Sequence, residues 1–270
     1  MSTQDAPDFE TPDLDAIGDH YAQFYGDGPG AAGLSVYTDP QGPFVPWLAR
    51  SIAAVAELEP EARVVDIGAG AGVLSAAVAR AAELTQPVVG IEPNPNAVAL
   101  SGDRARVEIH CLDALSFARE PGDIPPADLI LLAKVLHHIP VSAQTELFAA
   151  LAGRLAPGGQ ILTVTRPQET TVPLAEPARA AFRAAQPPTD VLVEQQRAAG
   201  LEVVIHEQVF RYEVPRERWL SMIRERFWST LIPFTDAQLE AQVEELGPQL
   251  SDPLRVEDTL RFLVAGPGQT

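Results

Sequence analysis

Basic residues are scarce in this chain. Lys and Arg together number 19 against 37 Asp and Glu, a formal net charge of −18. A surface of that sign repels nucleic acid and anionic membranes, and the few bases are scattered rather than blocked, so neither partner is expected. Cysteine is nearly absent. Cys111 stands alone and forms no internal disulfide; its size suits core filling better than nucleophilic work. No His/Cys cluster has metal-ligand spacing, so no metal is expected. Long apolar runs are missing too. The most apolar stretch, Ala127 to Ile139, is broken by Lys134 and is too short to span a bilayer. Met1 to Asp15 is acidic and lacks the apolar centre of a signal peptide. These absences predict a soluble cytoplasmic protein and leave its oligomeric state open.

What is present is apolar mass in a regular rhythm. With 270 residues, 46% of them hydrophobic, the chain suffices for one large domain or a domain with a lid. Residues 1–13 read as a frayed tail. Residues 14–60 read as a lid followed by a first helix: Tyr21, Phe24, Tyr25 and Tyr37 lie among glycines up to Gly42, and Phe44, Trp47, Leu48, Ile52 and Val55 then recur at helical spacing. Residues 61–166 alternate strand and helix. Strands are predicted over Arg63–Ile67, Val88–Ile91, Val107–Leu112, Leu129–Ala133 and Gln160–Thr165. Helices are predicted over Leu74–Glu83 and Asn94–Leu100, with a third striped by Leu147, Phe148, Leu151 and Leu155 and ended by Pro157-Gly158-Gly159. That alternation predicts a doubly wound, mostly parallel α/β sheet. Residues 167–270 complete the sheet with strands over Leu201–Tyr212 and Thr259–Ala265, and a helix over Asp190–Ala199. Helical insertions are expected at about 167–190 and 213–250.

The most informative segment is Val64-Val65-Asp66-Ile67-Gly68-Ala69-Gly70-Ala71-Gly72. A strand runs into a turn with three alternating glycines, which lets the backbone approach a ligand closely, and the next helix offers free N–H groups. A dinucleotide fingerprint begun at Gly68 needs glycine where Val73 stands, and one begun at Gly70 needs Gly or Ala where Ser75 stands. Asp66 lies inside the turn. Its carboxylate repels a pyrophosphate but suits a ligand bearing an ammonium and a sulfonium. Glu92 falls twenty residues past Gly72, directly after the second strand, where a carboxylate can accept both hydroxyls of a ribose. Asp113 follows the third strand, placed to accept a hydrogen bond from an adenine amino group.

These residues resemble the class I S-adenosylmethionine-dependent methyltransferases. The matching motifs are Asp66 to Gly72, Val89-Gly90-Ile91-Glu92-Pro93-Asn94, Cys111-Leu112-Asp113-Ala114, Ala127 to Leu132, and Leu155-Ala156-Pro157-Gly158-Gly159, in order across roughly residues 60 to 165. Val135-Leu136-His137-His138-Ile139-Pro140 looks like the small-molecule branch, the type 11/25-like enzymes, and the Asn/Asp-Pro-Pro-aromatic motif of the DNA-base enzymes is missing. The resemblance implies a seven-stranded Rossmann-like sheet whose last strand is antiparallel, with S-adenosyl-L-methionine as cofactor. It implies cofactor contacts from Asp66, Gly68, Ala69, Gly70, Gly72, Glu92, Pro93, Asp113, Ala114, Ala133 and Lys134. It also implies a small organic acceptor, of the kind met in secondary metabolism, methylated on O, N or C.

Other residues have competing readings. His137, after the fourth strand, is a candidate general base, and His138 is a candidate acceptor contact; the plainer view makes both histidines structural. Tyr21 and Tyr25 are candidate lid contacts to the methionine carboxylate or sulfonium, and His20 beside them is as readily a surface residue. Lys134 meets either an acidic acceptor or, more simply, a carboxylate of this acidic protein. Trp219, Ile223 and Phe227 recur every four residues, with Trp228 adjoining. That stripe is core, and with Arg166 it is also the candidate acceptor wall through Trp219, Phe227 and Trp228. His206, mid-strand, reads as sheet surface. Two other functions stand beside methyl transfer: a non-catalytic S-adenosylmethionine-binding module, and an oxidoreductase on a related nucleotide fold, which Asp66 and the failed fingerprint oppose.

Overall fold

The computed structural model describes Tyr37 and residues 42–268, apart from Ser101, Arg104 and Pro121. The expected contacts of Tyr21 and Tyr25, His20 and the tail lie outside the described residues. The chain order is α1 (Phe44–Val55), β1 (Val64–Ile67), α2 (Val73–Ala81), β2 (Val88–Ile91), α3 (Pro95–Ala99), β3 (Val107–His110), α4 (Ala114–Arg119), β4 (Ala127–Ala133), α5 (Val141–Ala152) and β5 (Leu155–Thr165). There follow α6 (Glu176–Ala185), α7 (Thr189–Ala198), β6 (Leu201–Val214), α8 (Arg216–Arg224), α9 (Asp236–Leu246) and β7 (Leu254–Pro267). The seven strands form one sheet in the order β3-β2-β1-β4-β5-β7-β6. β1 to β5 pair in parallel, and β7 is antiparallel to both β5 and β6.

The strands sit centrally because they are apolar on both faces. Along β4, Leu129 and Leu131 enter one core with Phe44, Leu48 and Ile52 of α1. Ile130 and Leu132 enter the other with Leu147, Phe148 and Leu151 of α5. The two-residue period of a strand thus supplies both layers from one run. The chain leaves β1 outward to β3 and then returns beside β1 as β4. The carboxyl ends of β1 and β4 therefore flank the crevice where such sheets bind ligands.

Five local readings change. The α5 stripe stops at Ala152 with Gly153 as its cap, and Leu155 already belongs to β5. Pro157-Gly158-Gly159 is a bulge within that strand, where the pairing with β4 shifts register; a Cβ on Gly159 would lie 2.6 Å from the Ala127 carbonyl oxygen. α4 was not expected, although Asp113 caps it by accepting hydrogen bonds from the Leu115 and Ser116 amides. β7 begins at Leu254 rather than Thr259 and pairs with β6 along its whole length. Cys111 is exposed, its thiol 3.6 Å from the Pro93 carbonyl, so it fills no core. Among the described residues no helix is long and apolar enough to cross a membrane.

Candidate active site

One cavity of about 500 Å³ opens over the carboxyl ends of β1 and β4. Its first end is the glycine loop. The Gly68 and Ala69 amides donate to the Ile91 carbonyl at 2.8 and 3.2 Å, tying the loop to β2. Gly68, at φ +75°, sits against Val135, and an added Cβ would come within 2.5 Å of that side chain. Gly70, at φ +56°, has nothing within 4 Å of such a Cβ, so its bare backbone faces open space in the cavity. Gly72 does not line the cavity; a Cβ there would meet Val107 and Ile109 of β3. Its glycine serves packing and a left-handed helix entry rather than ligand contact.

Glu92 is held by the loop it faces. Its carboxylate accepts from the Gly70 amide at 2.9 Å and from the Asn94 amide at 2.9 Å. Asp66 is buried at the floor and accepts from the Ser75 hydroxyl at 2.6 Å. Burial foremost, with a smaller push from Glu92, raises its pKa to about 7, against the opposing pull of Ser75 and Lys134. Asp113 and Ala114 line the same end. Asp113, however, is an exposed helix cap whose second oxygen accepts from the Ser116 hydroxyl at 2.5 Å, and these hydrogen bonds hold its pKa below the usual value despite an opposing desolvation.

The cavity narrows at the turn after β4. Ala133 ends the strand, and Lys134 follows with φ +60°, a left-handed conformation unusual for a side-chain-bearing residue and typical of functional sites. A single turn of 3₁₀ helix, Leu136–His138, comes next. The Gln144 amide clamps it by donating to the carbonyls of Leu136 and Ile139 at 3.0 and 2.9 Å. The rings of His137 and His138 lie 3.9 Å apart. Burial, with lesser repulsion from His138, Arg166 and Lys134, holds His137 well below the usual imidazole pKa. Burial alone lowers His138 to about 4, and its Nδ1 has no hydrogen-bond partner. Both rings line the cavity as neutral bases.

The second end is aromatic. Tyr37, Phe182, Phe227 and Trp228 form its wall; Tyr37 stacks on Phe227 at 5.6 Å, and its hydroxyl accepts from Tyr212 at 3.0 Å. Arg166 lines the cavity beside them, forked onto Asp258 through two hydrogen bonds of 2.8 and 2.7 Å, with both residues buried. The guanidinium also faces the Trp228 ring at 4.6 Å. Trp219 does not reach the cavity: it is fully buried and its indole donates to the Pro173 carbonyl. Of its stripe, only Phe227 and the adjoining Trp228 line the pocket. Tyr37 was read only as one of the lid aromatics, and Phe182, Gln186 and Asp258 were missed by the sequence reading, because no local motif joins them to the glycine loop. Ser75 carried a signal, since it stands one helical turn into α2, above Asp66. His206 is exposed on β6 as expected. Among the described residues no group of three or more His, Cys, Asp or Glu is placed to hold a metal ion.

Comparison with known proteins fits this architecture. The family described as "Methyltransferase domain" matches residues 46–242. Acetylserotonin O-methyltransferase of Mus musculus molossinus is 33% identical over 120 residues, a match covering 42% of this chain and only 30% of that protein. Phosphoethanolamine N-methyltransferase 2 of Haemonchus contortus, solved with phosphomonomethylethanolamine and S-adenosylhomocysteine, superposes with a TM-score of 0.55 at 19% identity over 94% of this chain and 58% of that one. A cyclopropane synthase of Mycobacterium tuberculosis does so with a TM-score of 0.56 at 16% identity over 97% and 99%. At these identities the structural likeness is one of fold. The family match itself spans most of the chain and contains the glycine loop, both histidines, and Phe182, Phe227 and Trp228 of the aromatic wall, and on that ground the chain belongs to the methyltransferase domain family.

Proposed function

We propose that this chain transfers a methyl group from S-adenosylmethionine to a hydroxyl oxygen of a small planar acceptor, with His137 as the proton-accepting group. The observation that carries this reading is the continuity of the cavity: the glycine loop and Glu92, the paired histidines and the aromatic wall all line one space.

The residues fit the cofactor. Gly70 lines the cavity with open space where its side chain would stand. Asp66 is a carboxylate whose pKa is raised foremost by burial, and a cationic ligand beside it favours its charged form. Glu92, oriented by two amides, presents its remaining lone pairs to a ribose. The cofactor supplies an already activated methyl group, so the protein's work is positioning and the exclusion of water. Phe227, Trp228 and Phe182 flatten the acceptor and keep the site apolar. His137, neutral through burial, takes the hydroxyl proton as oxygen becomes nucleophilic. The curated relative acts on an oxygen, by its name, which supports the same choice of atom.

The test is incubation of the enzyme with methyl-labelled S-adenosylmethionine and matched phenols, anilines and aryl acids. Label on a phenol, lost in His137→Ala, is the expected result. Label on anilines alone, unaffected by that substitution, would overturn the oxygen assignment.

A further inference from the structure

Lys134 is the only lysine among 270 residues. It lines the cavity in a left-handed conformation that side-chain-bearing residues rarely adopt. Its backbone amide donates to the Val164 carbonyl at 2.8 Å. Its ammonium lies 5.2 Å from the ring centre of Phe44. Among the described residues it makes no side-chain hydrogen bond and no ion pair. The acidic composition predicted a carboxylate partner from the protein, and the structure provides none within bonding range. Asp258 is committed to Arg166 through both oxygens. Asp66 is bonded to Ser75 on the glycine-loop side. A half-buried cation held in a left-handed conformation without a hydrogen-bond or ion-pair partner among the described residues calls for an anion from outside the chain.

We infer that Lys134 recognises an anionic oxygen on an aromatic acceptor, so that the pocket selects aromatic compounds bearing a carboxylate, or a hydroxyl that ionises in the site, over those bearing neither. The site's layout assigns this anion to the acceptor rather than to the cofactor. The ring nearest the ammonium, Phe44, also faces the Arg166 guanidinium at 5.9 Å, and Arg166 in turn faces Trp228 and Tyr37 of the aromatic wall. A planar ring against that wall brings a substituent oxygen toward Lys134. The oxygen is either the reacting one as it loses its proton or a carboxylate beside it. A preorganised cation stabilises developing negative charge in both cases. The inference rests on the methyl-transfer reading but is tested separately from it.

Because the lysine is unique, [6-¹³C]lysine incorporated into the full chain yields a single side-chain resonance whose shift reports its charge. Burial and the Arg166 charge lower its pKa to about 8, against Asp258 and Asp66; His137 is the other titratable group facing it. A bound anion favours the ammonium and raises that midpoint. In the S-adenosylhomocysteine complex, 4-hydroxybenzoate should raise the midpoint by about one unit or more, and benzamide should leave it unchanged. Benzoate and phenol as separate arms identify which oxygen is read. Lys134→Met should weaken 4-hydroxybenzoate binding by ~10-fold or more, with S-adenosylhomocysteine affinity changed less than ~3-fold. A midpoint raised by S-adenosylhomocysteine alone, with cofactor affinity lost in Lys134→Met, would overturn the inference and make Lys134 a cofactor residue. An unmoved resonance with every aromatic probe would overturn it as well. The readout needs no turnover, so a failed label-transfer panel and a failed Lys134 titration are distinguishable.

Discussion

At the cofactor end, the side-chain hydrogen bonds join neighbours in sequence: Asp66 to Ser75 across 9 residues and Glu92 to Gly70 across 22. At the acceptor end, Arg166 reaches Asp258 across 92 residues and Tyr212 reaches Tyr37 across 175. The first end is made of strand ends, tight turns and polar groups with room left beside them. The second is made of large side chains that fill one another's space. A change at the first end should therefore act on ligand binding, and a change at the second on the fold, because only the second closes the long loops of the chain.

The sharpest break of that comparison is Arg166→Met. It leaves Asp258 buried without a partner and should destabilise the protein by about 3–5 kcal/mol, read by urea unfolding. Adding Asp258→Leu should recover most of the loss, because the pair's burial was itself unfavourable. Failure of the double variant to recover would mean that the fork also holds the wall in place.

Asp66→Asn works in the opposite direction. The folded pKa of about 7 lies above the ordinary value of 3.8, so the charged form opposes folding, with a penalty that grows as pH rises from about 4 to 7 and is full above it. Removing the charge should stabilise the apo-protein above pH 7 by at most ~4 kcal/mol, a gain that vanishes below pH 4. Thermal melts across pH measure this, and calorimetry should show cofactor binding weakened in the same variant. A uniform gain at all pH values would mean that charge is not its source.

Between the two ends, His137→Ala should lower the single-turnover rate by on the order of 10²-fold, with cofactor affinity little changed. The wild-type rate should stay flat down to pH values well below the usual imidazole range, since burial keeps this ring neutral there. An unaltered rate would leave His137 as pocket wall.

At the cofactor end, Glu92→Ala should weaken S-adenosylmethionine binding roughly 10- to 100-fold with the melting temperature nearly unchanged. Loss of fold instead would show that its bonds to the Gly70 and Asn94 amides carry structure as well as ligand. The smallest effect is expected at Tyr212→Phe, which removes one hydroxyl pair at a cost of about 1 kcal/mol. A much larger loss would show the acceptor wall to be more cooperative than its contacts.

How much was legible follows the same division. The strand Val88–Ile91 was read to the residue, because an apolar run bounded by turn residues is a local fact. The glycine loop and its two acidic followers were legible for the same reason: a strand end, a turn and a helix start are a few residues apart. Pro157-Gly158-Gly159 misled, since Pro and Gly end a helix or bulge a strand equally well, and only the β4 partner decides. Asp113 carried two signals, a cap and an adenine contact; its hydrogen bonds in the structure are those of the cap.

Sequence alone determined the sheet, the binding loop and the place of the histidines, because periodicity and turn chemistry act over distances of one element. Tertiary structure decided which aromatic residues face the cavity and which, like Trp219, are sealed in the core. It also decided that Arg166 has an ion-pair partner while Lys134 has none among the described residues. Those outcomes depend on which distant segments meet, and no short stretch of chain records that meeting.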